Sequence, residues 1–157
     1  MEKFDEFLQR ALLWTCAVLM FAMMTVIFSQ VVARYVLHQS LSWSEEVGRY
    51  IFVWITFLGL AAAFKSGSHV ALDLLAKALK GVPYRIVALI DALLIVLLAA
   101  ALSISGIKLL QFGLHQESPA LKIPMYYVYL VEPISGLIFL YFAIRALWTC
   151  ALGNEEG

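Results

Sequence analysis

Ala11 to Ala33 reads ALLWTCAVLMFAMMTVIFSQVVA, 23 positions without a charged side chain, closed by Arg34 and Tyr35. As a helix rising 1.5 Å per residue, this run is long enough to cross a hydrocarbon core of about 30 Å. It is too long for the apolar core of a secretory signal, and no small-residue cleavage pattern follows it. The reading is a retained membrane helix, over about 11–34. Before it, residues 1–10 set Phe4, Phe7 and Leu8 on one helical face among Glu2, Lys3, Asp5, Glu6 and Arg10. That pattern predicts a short amphipathic lead-in at the membrane interface.

Three further apolar segments follow. Between Arg49 and Lys65 there are only 15 uncharged residues, short for a span. The second helix must therefore begin earlier. Ser42 with Glu45 three positions on is a capping-box pattern, which predicts a helix over 43–64 with Glu45, Glu46 and Arg49 in its first two turns. Glu45 and Glu46 then stand one turn from Arg49, at ion-pair spacing. The third and fourth segments cover about 84–112 and 125–148, with Pro133 expected to kink the last. Between the second and third, His69 to Lys80 alternates a polar stripe (His69, Asp73, Lys77, Lys80) with an apolar one. It is too short and too polar to span, and is expected to lie flat on the membrane over about 69–80.

Composition agrees. Hydrophobic residues make up 63% of the chain and charged residues 14%. A soluble domain has about 45–50% and about 25%. The net charge is zero, so there is no basic footprint for nucleic acid. The fold class is an all-α integral membrane protein with four transmembrane helices and short interfacial amphipathic helices, forming one membrane domain over 1–157. Seven Lys and Arg fall on the side of the termini and the middle loop, against four on the other side, so both termini are placed in the cytoplasm. Tyr126, Tyr127, Tyr129 and Trp148 read as interfacial anchors in contact with lipid.

Small residues cluster at Gly59, Ala61, Ala62 and Ala63 in the second segment, and from Ala99 to Gly106 in the third. Such stretches allow close helix approach. Asp91 and Glu132 lie within apolar sequence, where ionisable groups are costly and mark polar contacts or ion paths. Cys16 and Cys150 show no metal spacing. His38, His69 and His115 fall near segment ends on both sides, which does not suit haem ligation between facing helices. No nucleophile–base pair, phosphate loop or zinc motif is present. The residues alone point to a non-catalytic, cofactor-free, metal-free membrane subunit, with a self-sufficient homo-oligomeric channel or transporter using Asp91 or Glu132 as the alternative.

The run Phe28 to Asp73 carries Arg34-Tyr35, then Ser42-Trp43-Ser44-Glu45-Glu46, then Arg49-Tyr50. Gly59 follows, and a basic turn through Lys65, Gly67 and His69 leads to Asp73. Later comes Ser118-Pro119-Ala120-Leu121-Lys122-Ile123-Pro124 followed by aromatics. Both blocks resemble the small membrane (DctQ-like) subunit of tripartite ATP-independent periplasmic (TRAP) transporters. Glu132 lies outside that pattern. The resemblance implies a small permease subunit in the bacterial inner membrane. It would support a large multi-helix TRAP membrane subunit, on a separate polypeptide, in sodium-driven uptake of an organic acid of the C4-dicarboxylate or sialic acid type. A periplasmic substrate-binding protein would deliver the substrate. The residues expected to make the partner and scaffold contacts are Arg34, Trp43, Glu45, Glu46, Arg49, Gly59, His69 and Asp73.

Overall fold

A computed structural model describes residues 2–38, 41–67 and 82–152. Within them lie five helices: α1 (Glu2–Tyr35), α2 (Ser42–Gly67), α3 (Val82–Gly113), the single turn α4 (Tyr126–Tyr129) and α5 (Val131–Leu152). Four stretches are long and apolar enough to cross a membrane: Lys3–Tyr35, Ser42–Lys65, Leu89–Gly113 and Tyr126–Trp148. The expected interfacial helix at 69–80, with His69, Asp73 and Lys77, lies outside the described residues.

The helices follow the apolar runs because a backbone in lipid must satisfy its own polar groups. One boundary differs from the sequence-based expectation. The amphipathic lead-in is not a separate element, since α1 runs unbroken from Glu2. No glycine or proline interrupts residues 2–35, so nothing stops the helix between its charged and apolar parts. The fourth span is divided into α4 and α5 just ahead of Pro133, the residue expected to kink it. Leu130, helical in its own dihedrals (φ −59°, ψ −27°), separates α4 from α5. Pro133 explains the break, because its ring cannot accept a helical carbonyl four residues back and it has no N–H to donate there.

α1 packs along α2, α2 along α5, and α5 along α3, which places α5 centrally. It is also the most enclosed of the four spans. Ala61 and Ala62 of α2 are buried in a common core with Phe139, Phe142 and Ala143 of α5, Ala99 of α3 and Leu12 of α1. Phe64 meets Phe139 edge-on, with ring centroids 4.8 Å apart.

The α3–α5 seam is the closest. A methyl group at Gly106 would stand 2.7 Å from the Pro133 nitrogen, and one at Gly136 would stand 2.9 Å from Ser103 Oγ. Small residues are required there so that the two backbones can meet. Gly59 behaves differently: a methyl there would meet nothing within 4 Å. The small stretch of α3 therefore does what its composition predicts, as do Ala61 and Ala62, whereas Gly59 is not a close-approach site within this bundle.

The ends of the bundle are distinct. The start of α2 and the 114–125 loop share one end, and the start of α1 and the later part of α5 share the other. At the terminal end Asp5 is buried, accepting a hydrogen bond from the Tyr141 hydroxyl at 2.8 Å and an ion pair from Arg145 Nη2 at 3.2 Å.

Candidate functional site

The loop between α3 and α4 folds back on itself. Ser118 N–H donates to the Ile123 carbonyl at 2.9 Å, Lys122 N–H to the Ser118 carbonyl at 3.2 Å, and Met125 N–H to the Gln116 carbonyl at 2.8 Å. Glu117 and Pro124 form an antiparallel bridge. Lys122 closes the turn in the left-handed region, at φ 56°. The tip of this hairpin-like loop presents the N–H groups of Ala120 and Leu121.

Both amides are taken by one carboxylate. Glu46, in the second turn of α2, accepts from Ala120 N–H and Leu121 N–H through Oε2, each at 3.0 Å. Its Oε1 accepts a short hydrogen bond from the Tyr50 hydroxyl, one turn further along the helix. The same hydroxyl lies 3.3 Å from Met125 Sδ. Glu46 is only 6% exposed. A carboxylate can be enclosed in this way only when its oxygens are satisfied, and hydrogen bonds to an ionised acceptor are the strong kind. The latch joins the Ser-Trp-Ser-Glu-Glu segment to the Pro-Ala-Leu turn, the two blocks that carry the family resemblance.

The capping box expected of Ser42 and Glu45 does not form among the described residues. The Ser44 hydroxyl instead donates to the Leu41 carbonyl at 2.7 Å, tying down the start of α2. Glu45 turns toward α1, where its Oε1 accepts from Gln30 Nε2 at 3.0 Å. The expected ion pairs with Arg49 are absent too. Glu46 points inward to the loop amides, Glu45 is turned to Gln30, and Arg49 stays exposed without an ion pair to either.

Between the start of α2 and the loop lies an open cleft of about 420 Å³. Glu45, Glu46, Arg49, Tyr50, Gln116 and Glu117 give it polar walls. Trp43 is exposed at 45%. Arg34 is exposed near the end of α1. The structure thus gathers Glu45, Glu46 and Arg49 at one cleft, with Trp43 in the same turn of α2. Gly59 is more than two turns further along α2, and His69 and Asp73 lie outside the described residues.

Asp91 and Glu132 are not brought together. Glu132 abuts Gly106, and Asp91 precedes Gly106 by fifteen residues, about 22 Å along α3. Both are half-buried, and neither side chain makes a hydrogen bond or ion pair with the described residues.

Sequence reasoning missed the hydrogen-bond acceptors of the Ala120 and Leu121 amides and the role of Tyr50 in holding them. The one available signal was the co-occurrence of the two family-like blocks, far apart in sequence. It also missed the Asp5–Tyr141–Arg145 cluster, since Asp5 reads locally as one charge in a charged lead-in.

Residues 23–153 match the family model described as tripartite ATP-independent periplasmic transporters, DctQ component. The chain is 29% identical over 139 residues to a putative TRAP transporter small permease protein of Haemophilus influenzae, covering 88% of this chain and 86% of that protein. It is 34% identical over 139 residues to the isethionate TRAP transporter permease protein DctMQ of Oleidesulfovibrio alaskensis, covering 82% of this chain but 21% of that protein. A 62-residue stretch, 40% of this chain, is 34% identical to a tenth of the sialic acid TRAP transporter permease protein SiaT of Haemophilus influenzae (10% of its length).

Proposed function

The chain belongs to the DctQ component family of the tripartite ATP-independent periplasmic transporters, small permease proteins of the bacterial inner membrane, and from that premise we propose that it is the static membrane scaffold of such a transporter. Its partner is a large multi-helix membrane subunit that carries substrate. The relatives in which a similar stretch makes up 21% or 10% of a much longer permease protein support this pairing. Uptake is driven by a sodium gradient, and the cargo is an organic acid. The cleft end faces the periplasm and both termini the cytoplasm, as the distribution of Lys and Arg favours.

The observation that carries this reading is the Glu46 latch. It makes the start of α2 and the 114–125 loop one fixed body at a single end of the bundle. Such a body can present Trp43, Glu45 and Arg49 to a periplasmic substrate-binding protein without moving itself. Glu46 lines the cleft and holds the surface in place. Arg34 and Gly59 are left open for contact with the large subunit. His69 and Asp73 are assigned to the cytoplasmic surface.

The test is co-expression with the neighbouring large-subunit gene, extraction in mild detergent, and reconstitution. Stoichiometric recovery of a large multi-helix partner, with uptake that needs a sodium gradient and a binding protein, is the expected result. Recovery only as a homo-oligomer that transports by itself would overturn the scaffold reading.

A further inference from the structure

Met125 stands where the 114–125 loop meets α4, and it lines the open cleft beside Glu46 and Tyr50. Its Sδ lies 3.3 Å from the Tyr50 hydroxyl oxygen. The same hydroxyl donates to Glu46 Oε1. A phenol has one proton to give, so the two acceptors compete for it. An ionised carboxylate is a strong acceptor and a thioether a weak one, so Glu46 takes the proton. The sulfur of Met125 is left with its lone pairs unengaged, on a half-buried residue in the wall of a polar cleft.

We propose that Met125 is a modification site, at which oxidation to the sulfoxide draws the Tyr50 hydroxyl away from Glu46 and loosens the latch. The proposal concerns the latch itself and holds whichever partner the surface meets. The oxidant is a hydroperoxide, with hydrogen peroxide the simplest. The sulfur lone pair attacks one peroxide oxygen; an S–O bond forms and the O–O bond breaks. A proton passes from the transferred oxygen to the departing hydroxide, and water leaves. Sulfur gives up two electrons and the peroxide takes them. Methionine sulfoxide reductases, one for each epimer, reverse the change.

Two features set Met125 apart from the methionines of α1. Oxygen transfer develops positive charge on sulfur and negative charge on the leaving oxygen, which a wet polar cleft favours and hydrocarbon opposes. Met20, Met23 and Met24 lie inside the uncharged part of the first span, at membrane depth. The second feature is the consequence. Oxidation turns an apolar side chain that accepts weakly into a polar one. The new oxygen is bonded to the sulfur that already stands beside the Tyr50 hydroxyl, so the competition for the single proton changes sides. Glu46 then keeps only the Ala120 and Leu121 amides. An enclosed carboxylate with one donor fewer is held less firmly, and the loop tip opens more often.

The experiment uses the full chain in lipid vesicles treated with hydrogen peroxide. Peptide mass spectrometry follows the gain of one oxygen at each methionine, and amide hydrogen exchange follows Ala120 and Leu121. Met125 is expected to oxidise several-fold faster than Met20, Met23 and Met24, and exchange at the two loop amides to rise several-fold as it does. Met125→Leu has no sulfur at that place, and its loop exchange is expected to be the same with and without peroxide. Tyr50→Phe has no hydroxyl to divert; Met125 should still oxidise there, with little further change in loop exchange. Oxidation of Met125 no faster than of the α1 methionines overturns the site. Loop exchange that is unchanged by complete oxidation of Met125, or that rises as much in Tyr50→Phe or in Met125→Leu, overturns the coupling to the latch. None of these outcomes bears on assembly with a large subunit, which the co-expression experiment above tests separately.

Discussion

Glu46 Oε2 lies 3.0 Å from the backbone nitrogen of Ala120, a residue 74 positions further along the chain. Around that contact the start of α2 and the α3–α4 loop become one unit. Glu46→Ala leaves the two loop amides at Ala120 and Leu121 without their acceptor and removes the acceptor of the Tyr50 hydroxyl. Hydrogen bonds to a charged group contribute about 1.5–3 kcal/mol, and the loss should be of that size. Amide hydrogen exchange at Ala120 and Leu121 is the direct readout. Exchange should accelerate strongly in Glu46→Ala and less in Glu46→Gln, which keeps an acceptor oxygen. Unchanged exchange would mean the loop holds its shape without the latch.

Tyr50 gives a finer test, because its hydroxyl closes the other side of the same carboxylate. Tyr50→Phe should cost up to about 1.5–3 kcal/mol, the worth of one hydrogen bond to a charged group. Combined with Glu46→Ala it should add little, since the partner is already gone. A double-mutant cycle on the detergent-solubilised chain should show coupling of about 0.5–3 kcal/mol. Strict additivity would place Tyr50 outside the latch.

At the other end, Asp5 joins the first turns of α1 to Tyr141 and Arg145 of α5. The Asp5 side chain is 11% exposed and that of Arg145 34%. Breaking a fully enclosed pair costs about 3–5 kcal/mol and an exposed one at most about 1 kcal/mol. Asp5→Ala should fall between, near 1–3 kcal/mol by order of magnitude. Limited proteolysis near residue 5 should speed up in the variant while the four spans stay protected. Equal cleavage in both proteins would show that the pair does not hold the N-terminus down.

The four spans were legible in the sequence because lipid allows a long uncharged run few alternatives. The small stretch around Ser103 and Gly106 was legible for a related reason: only small side chains let helices touch. Glu46 was harder. Its local neighbour Arg49, one turn away, looks like the natural partner, and nothing in a single sequence marks two loop amides 74 and 75 residues on as the stronger claim. Local spacing reports what can pair within one helix, and tertiary contact then decides between the candidates. The same limit applies to Asp5, whose partners stand near the opposite end of the chain. It applies in reverse to Gly59, a small residue in a small stretch that the fold leaves in open space.

That contrast among glycines yields a last prediction, and it separates packing from composition. At Gly106 an added methyl would sit 2.7 Å from the backbone nitrogen of Pro133, an atom that cannot swing aside. At Gly136 it would meet the Cα and nitrogen of Ser103 at 3.1 Å as well as the hydroxyl. Gly106→Ala and Gly136→Ala must each push α3 from α5, at about 1–3 kcal/mol for overpacking a tight seam. Gly59→Ala meets nothing within 4 Å and exchanges a poor helix former for a good one, so the isolated chain should gain up to about 1 kcal/mol. Thermal unfolding of the three variants in one detergent should order them with Gly59→Ala at or above the parent and the other two below it. If Gly59→Ala is neutral alone yet lowers recovery of the large subunit, its open space is a seat for that partner. If all three variants fall equally, the α3–α5 seam is not the special contact its geometry makes it.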